Sequence, residues 1–192
     1  MPAVLRTIAI FAAGALLLSA CRRGAEQAVV IEPSLLSPEI PAIPAEPFGS
    51  PSLAYVQLRD VTDAALALSW DGQLASFAQW IEQETVAVER ALVLLKALRA
   101  GAGDEYAVAN ARIALVYEHI VRALTDASSV ADATGYDADW KDQQARVQEQ
   151  ANAFWERCVR LCSVGGAHLD AWDLRCRRGL ATGQQQSPRQ PE

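Results

Sequence analysis

Four stretches of this 192-residue chain repeat apolar side chains at alternating three- and four-residue spacing, and that period decides what it can fold into. Helix one begins at Ser50, a good N-cap, with Pro51 suited to the first helical position. Its seam is Ala54, Leu58, Val61, Ala65 and Leu68, and Trp70-Asp71-Gly72 ends it. Helix two spans about Gln73 to Arg99. Leu74, Phe77, Ile81, Val88, Leu92, Leu95 and Leu98 form its seam, with Glu82, Glu84 and Glu89 off it. Gly101 and Gly103 stop it, and Asp104 caps helix three, whose seam is Ala109, Ile113, Val116, Ile120 and Leu124. Residues 126–137 are rich in turn formers and read as the longest loop. Helix four runs from about Asp137 to Ser163 with Trp140, Ala151, Phe154, Cys158 and Leu161 on one face, and Gly165-Gly166 breaks it. A short fifth helix carries Leu169, Trp172 and Cys176, and the chain from Gly179 onward reads as a disordered tail. No stretch alternates with period two for long enough to make a strand. The fold class is therefore all-α: an antiparallel four-helix bundle with a short fifth C-terminal helix.

Before the bundle, prolines at 33, 38, 41, 44, 47 and 51 recur every three to five residues. Proline removes a backbone donor and favours polyproline II, so residues 22–50 read as a stiff linker able to reach roughly 90 Å. Docking of this segment in an aromatic groove of a partner is the sharper alternative, kept open by Leu35, Leu36, Ile40, Ile43 and Phe48.

The first twenty-one residues set the address. Arg6 gives a short positive region, and Ile8 to Leu18 form an uncharged apolar run of signal-peptide length, too short to span a bilayer. Leu18-Ser19-Ala20-Cys21 follows directly and resembles the lipobox of bacterial lipoproteins. The resemblance covers only the signal region. It implies cleavage before Cys21 and lipidation of that thiol, which makes residues 1–20 a signal peptide, 21–50 the lipidated cysteine and linker, 51–179 the bundle domain and 180–192 the tail. Acyl chains anchor firmly, because each buried methylene contributes roughly 0.8 kcal/mol. Arg22 stands where an Asp signals inner-membrane retention in such proteins, which points to the outer membrane, facing the periplasm.

The formal net charge is −6, and losing residues 1–20 removes Arg6 and no acid. An acidic chain argues against nucleic acid as a partner. With Cys21 lipidated, Cys158, Cys162 and Cys176 remain in an oxidising compartment, and three cannot all pair internally. In an antiparallel hairpin, residues equidistant from the turn face each other. Cys158 and Cys176 centre on position 167, within the Gly-Gly turn region, whereas Cys162 and Cys176 centre on 169. Cys158–Cys176 is the favoured bridge and Cys162–Cys176 the alternative. Cys158, Cys162, His168 and Cys176 also make a Cys3His set, chemically suited to zinc or copper(I), although the spacing matches no zinc pattern.

Other chemistries find little footing. CVRLCS has one residue too many for a c-type haem site and no adjacent His, and neither His119 nor His168 follows a Glu by three residues, as a di-iron bundle requires. His119 is a conceivable general base with no nucleophile motif to serve, and a half-exposed helix histidine is the simpler expectation. Asp132, Asp137, Asp139 and Asp142 lack the ordered ligand series of a calcium loop. Trp80, Trp140, Trp155 and Trp172 are expected in the core or lining a groove. There is no phosphate loop, dinucleotide fingerprint or nucleophile elbow. The sequence thus points to a lipid-anchored, non-enzymatic envelope protein that binds a protein partner and carries no cofactor beyond the lipid on Cys21. The alternative is a metal- or ligand-binding bundle built on the C-terminal cysteines. Oligomeric state is left open.

Overall fold

The computed structural model describes residues 43–101, 103–134 and 140–186. Among the described residues five α-helices pack together: α1 (Leu53–Ala67), α2 (Leu74–Leu98), α3 (Gly103–Thr134), α4 (Trp140–Cys162) and α5 (Asp170–Gln186), with a 3-10 turn, Ala167–Leu169, before α5. Among the described residues there is no strand. The all-α bundle with an extra C-terminal helix is therefore the fold. None of the described helices is long and apolar enough to cross a membrane.

Helix α3 is the axis of the assembly. It packs against α1, α2, α4 and α5, while α1 pairs with α2 and α4 with α5. Every residue from Ala107 to Tyr117 is buried, so α3 has no solvent face along this stretch. Ala107, Ala109, Ala111 and Ala114 make this possible, because short side chains let neighbours approach from several directions while favouring the helix.

Helix α1 starts at Leu53, two residues later than the sequence suggests. Ser52, not Ser50, is the N-cap: its hydroxyl accepts the Tyr55 N–H at 3.3 Å. Glu105 on α3 selects it by taking the Ser52 N–H at 2.7 Å and the Ser52 hydroxyl at 2.5 Å. The α1–α2 turn needs Gly72, whose φ of +80° is in the left-handed region. Asp71 organises this turn. Its carboxylate accepts from Gln73 N–H at 2.9 Å and from the Ser76 hydroxyl, and these bonds, the Ser76 one foremost, hold its pKa below the usual range.

Helix α2 presents a face rotated from the expected seam. Phe77, Trp80, Glu84, Val88, Ala91, Leu95 and Leu98 are buried, whereas Ile81 and Leu92 are only half-buried. Packing against both α1 and α3 sets this face, and it draws Glu84 inside.

Two further expectations fail. Helix α3 runs through Thr134, past the loop expected from Asp126, with residues 135–139 outside those described. Two of its hydroxyls stay within the helix: Thr125 donates to the Val121 carbonyl at 2.9 Å and Ser129 to the Thr125 carbonyl at 3.0 Å. Gln144 of α4 also donates to Thr125 Oγ1 at 3.0 Å. The second is the tail, helical from Gly179 to Gln186, with Leu180 and Ala181 buried. Here Gly179 and Gly183 work as contacts rather than breakers. A Cβ on Gly179 would strike the Trp155 indole, and one on Gly183 would strike the side chains of Asn152 and Gln148. The missing Cβ lets α5 lie close on α4.

Residues 43–50 also depart from expectation. They do not belong to the linker alone but run as a strap across the bundle, with Pro44 buried.

Candidate functional site

The strap rests on one residue from each of three helices: Tyr55 of α1, Arg112 of α3 and Trp172 of α5. The Tyr55 hydroxyl donates to Glu46 Oε2 at 2.5 Å, and the Arg112 guanidinium pairs with Glu46 Oε1. Arg112 also donates from Nη1 to Asp63 at 2.7 Å and from Nε to the Tyr55 oxygen at 3.3 Å. The Trp172 indole N–H donates to the Ala45 carbonyl at 3.1 Å, and the guanidinium carbon lies 5.7 Å from the Trp172 ring centre. Phe48 meets Tyr55 edge-on at 5.1 Å. Burial, reinforced by Glu46, pushes the Tyr55 pKa up, so the phenol keeps its proton and donates. The Arg112 side chain is 4 % exposed, yet its charge is met by two carboxylates at the surface. A buried guanidinium is tolerated on these terms.

At the C-terminal hairpin, Cys158 and Cys176 form a disulfide. Cys162 is a buried free thiol with its sulfur 3.6 Å from that of Cys158. Burial first, then the charges of Asp173 and Asp104, push this thiol up to about 12, so it is protonated and unreactive at neutral pH. His168 does not join the cysteines; its Nε2 pairs with Asp104 at 2.9 Å on the exposed side of the 3-10 turn. Among the described residues no group of three or more His, Cys, Asp and Glu side chains is placed to hold a metal. Cys21, Asp137 and Asp139 lie outside the described residues, while Asp132 and Asp142 are exposed on α3 and α4.

A second polar pair sits between α2 and α3. Glu84 is fully buried, neither carboxyl oxygen has a hydrogen-bond partner, and desolvation pushes its pKa up to about 8. His119 Nε2 stands 3.8 Å from Glu84 Oε1 but only 2.8 Å from the Leu68 carbonyl. A carbonyl oxygen only accepts, so this nitrogen donates to the end of α1 and His119 acts as a clasp there. It packs edge-on to Trp80 at 5.5 Å.

Trp80, Trp155 and Trp172 are buried, and Trp140 is half-buried with Trp70, the two flanking Phe77 edge-on at 5.0 and 5.2 Å. The Trp155 indole donates to Glu118 at 3.0 Å, Arg175 donates to the other oxygen of Glu118 at 2.6 Å, and Arg175 lies over the Trp155 ring at 4.5 Å. Sequence reasoning missed Tyr55, Arg112 and Glu46. The one signal was an arginine among the small and apolar residues of helix three. No family model, curated protein or solved structure matches this chain.

Proposed function

We propose that this chain is a lipid-anchored module of a bacterial cell envelope, presenting a rigid helical bundle to a protein partner. Support for the anchor is the sequence Leu18-Ser19-Ala20-Cys21 behind its apolar run, and Arg22 favours the outer membrane. The observation that carries the presentation half is the docked strap. Arg112 and Tyr55 bind Glu46 and Trp172 binds the Ala45 carbonyl, so the tether becomes part of the bundle before α1 begins. Residues 22–42 then remain between Cys21 and the fold, a reach of roughly 75 Å at full extension and less in polyproline II. The bundle is thus displayed at a bounded height above the lipid, and anchoring raises its local concentration for partners on the same membrane.

Partner-facing surface is available in the half-buried pair Trp70 and Trp140 around Phe77, and in Val86 and Val93 exposed on α2. Comparing the chain with its Cys21→Ser variant in cell fractions tests the anchor. The parent is expected to sediment with membranes and the variant to be released as a folded soluble protein. Equal partition of the two would contradict the anchoring role of Cys21.

A further inference from the structure

The groove beneath the strap is lined by donors that converge on peptide groups. Tyr55 O–H and the Arg112 guanidinium point at one carboxylate, Glu46, and the Trp172 indole N–H points at one main-chain carbonyl, Ala45. Phe48 and buried Pro44 supply apolar contact on either side. A carboxylate, a carbonyl and flanking prolines are features of an extended peptide, and the groove reads them across three helices.

The strap sequence explains how register is kept. Pro38, Pro41, Pro44 and Pro47 recur every third residue, which is the turn of a polyproline II helix. Prolines alone would let such a ridge slip by three residues. Only Pro44-Ala45-Glu46-Pro47 carries an acid directly before its second proline. Pro38-Glu39-Ile40-Pro41 has its acid one residue earlier, and Pro41-Ala42-Ile43-Pro44 has none. Glu46 against Arg112 and Tyr55 therefore fixes which turn docks.

We propose that the Tyr55–Arg112–Trp172 groove is a recognition site for extended proline-rich peptides of the form Pro-x-Glu-Pro, filled here by the chain's own tether, and that a partner protein's segment of this chemistry exchanges with it. This deepens the reading of the chain as an interaction module. Charge complementarity selects the occupant, since every polar contact the groove offers the strap is a donor. The strap is also separable from the helices. Gly49 and Ser50 are exposed, a Cβ at Gly49 would meet nothing within 4 Å, and α1 keeps its own cap through Ser52 and Glu105. The Glu46 side chain is 28 % exposed, so exchange has a place to begin. An intramolecular ligand on a short linker competes at an effective concentration on the order of mM, which sets what a partner must overcome. Release would return residues 43–50 to the tether and lengthen its reach by roughly 25 Å.

The test titrates a fluorescent peptide of residues 41–50 into the full chain carrying Cys21→Ser, so lipidation plays no part and its failure would not affect the result. Glu46→Ala in that chain is expected to bind the peptide at least tenfold more tightly than the parent, because its own tether no longer competes. Adding Arg112→Ala, or replacing the peptide's glutamate with glutamine, is expected to cost at least tenfold. Equal affinity for parent and Glu46→Ala, or binding that survives loss of Arg112, overturns the proposal. Far-UV circular dichroism checks the fold, and Glu46→Gln, which keeps the side chain's bulk and one acceptor, serves if Glu46→Ala does not fold. A doubled native mass for the parent chain, reversed by the peptide, would assign the groove to the tether of a second copy and overturn a partner protein as its occupant.

Discussion

Glu84 is the buried side chain with the clearest unmet electrostatic demand. Its carboxyl has no hydrogen-bond partner, and desolvation raises its folded pKa from 4.5 to about 8. Below about pH 4.5 the group is protonated in folded and unfolded chains alike. Between 4.5 and about 8 the unfolded chain releases the proton and the folded chain keeps it, so the contribution of Glu84 to stability falls as pH rises, by about 1.4 kcal/mol per unit at most. Glu84→Gln should remove this slope. Its melting temperature relative to the parent is expected to rise between pH 5 and pH 8.5; a constant difference across that range would show that Glu84 is not held neutral by burial. Arg112 is the opposite case, a buried charge well met. Arg112→Ala is expected to destabilise by about 2–3 kcal/mol in urea unfolding, less than for a fully buried pair because Glu46 and Asp63 can turn to solvent. The sequence exposed neither role. Helical periodicity picks out one seam, and packing against two neighbours rotates and widens the buried face beyond it, which brings in Glu84 and Trp80. The pairing of Cys158 with Cys176 sits in a local hairpin, where counting from the turn is informative.

Among elements, the C-terminal hairpin of α4 and α5 is held by three devices: the disulfide, the Trp155–Glu118–Arg175 network and the close approach at Gly179 and Gly183. Cys158→Ser is expected to lower stability by about 3 kcal/mol, the chain-entropy value for a loop of this size, read from urea unfolding with m fitted for each chain. At Gly179 two effects compete. Any residue but proline gains helix propensity there, up to about 1 kcal/mol, but must push into Trp155, which is fully buried. The steric term dominates, and Gly179→Val should cost about 1–3 kcal/mol in the same assay. A neutral or stabilising outcome would mean α5 does not lie on α4 this closely. These glycines explain why the tail was illegible. Two glycines and a run of glutamines match the composition of a disordered end, and only the shape of α4 turns Gly179 and Gly183 into contact points. The end of α3 was obscured in the same way, since serines and threonines favour turns, and only folding lets the Thr125 and Ser129 hydroxyls bond to carbonyls one helical turn back.

At the scale of the molecule, the number and order of the described helices and the breaks at Gly72 and Gly165-Gly166 were readable because each follows from period and turn chemistry along the chain. The centrality of α3 was not, although its run of alanines is what permits burial on all sides. The strap was read as spacer because prolines exclude helix and sheet wherever they stand. Its docking depends on Tyr55, Arg112 and Trp172, far apart in sequence and joined only by folding. The proposed anchor is a lipid on Cys21 joined to this bundle through the strap, and the intact mass of the protein extracted from bacterial membranes in detergent tests it most directly. The expected species begins at Cys21, carries the mass of a diacylglyceryl group with or without a further acyl chain, and is two hydrogens short for the Cys158–Cys176 bridge. A chain that retains residues 1–20, or is cut elsewhere and leaves Cys21 unmodified, would contradict it.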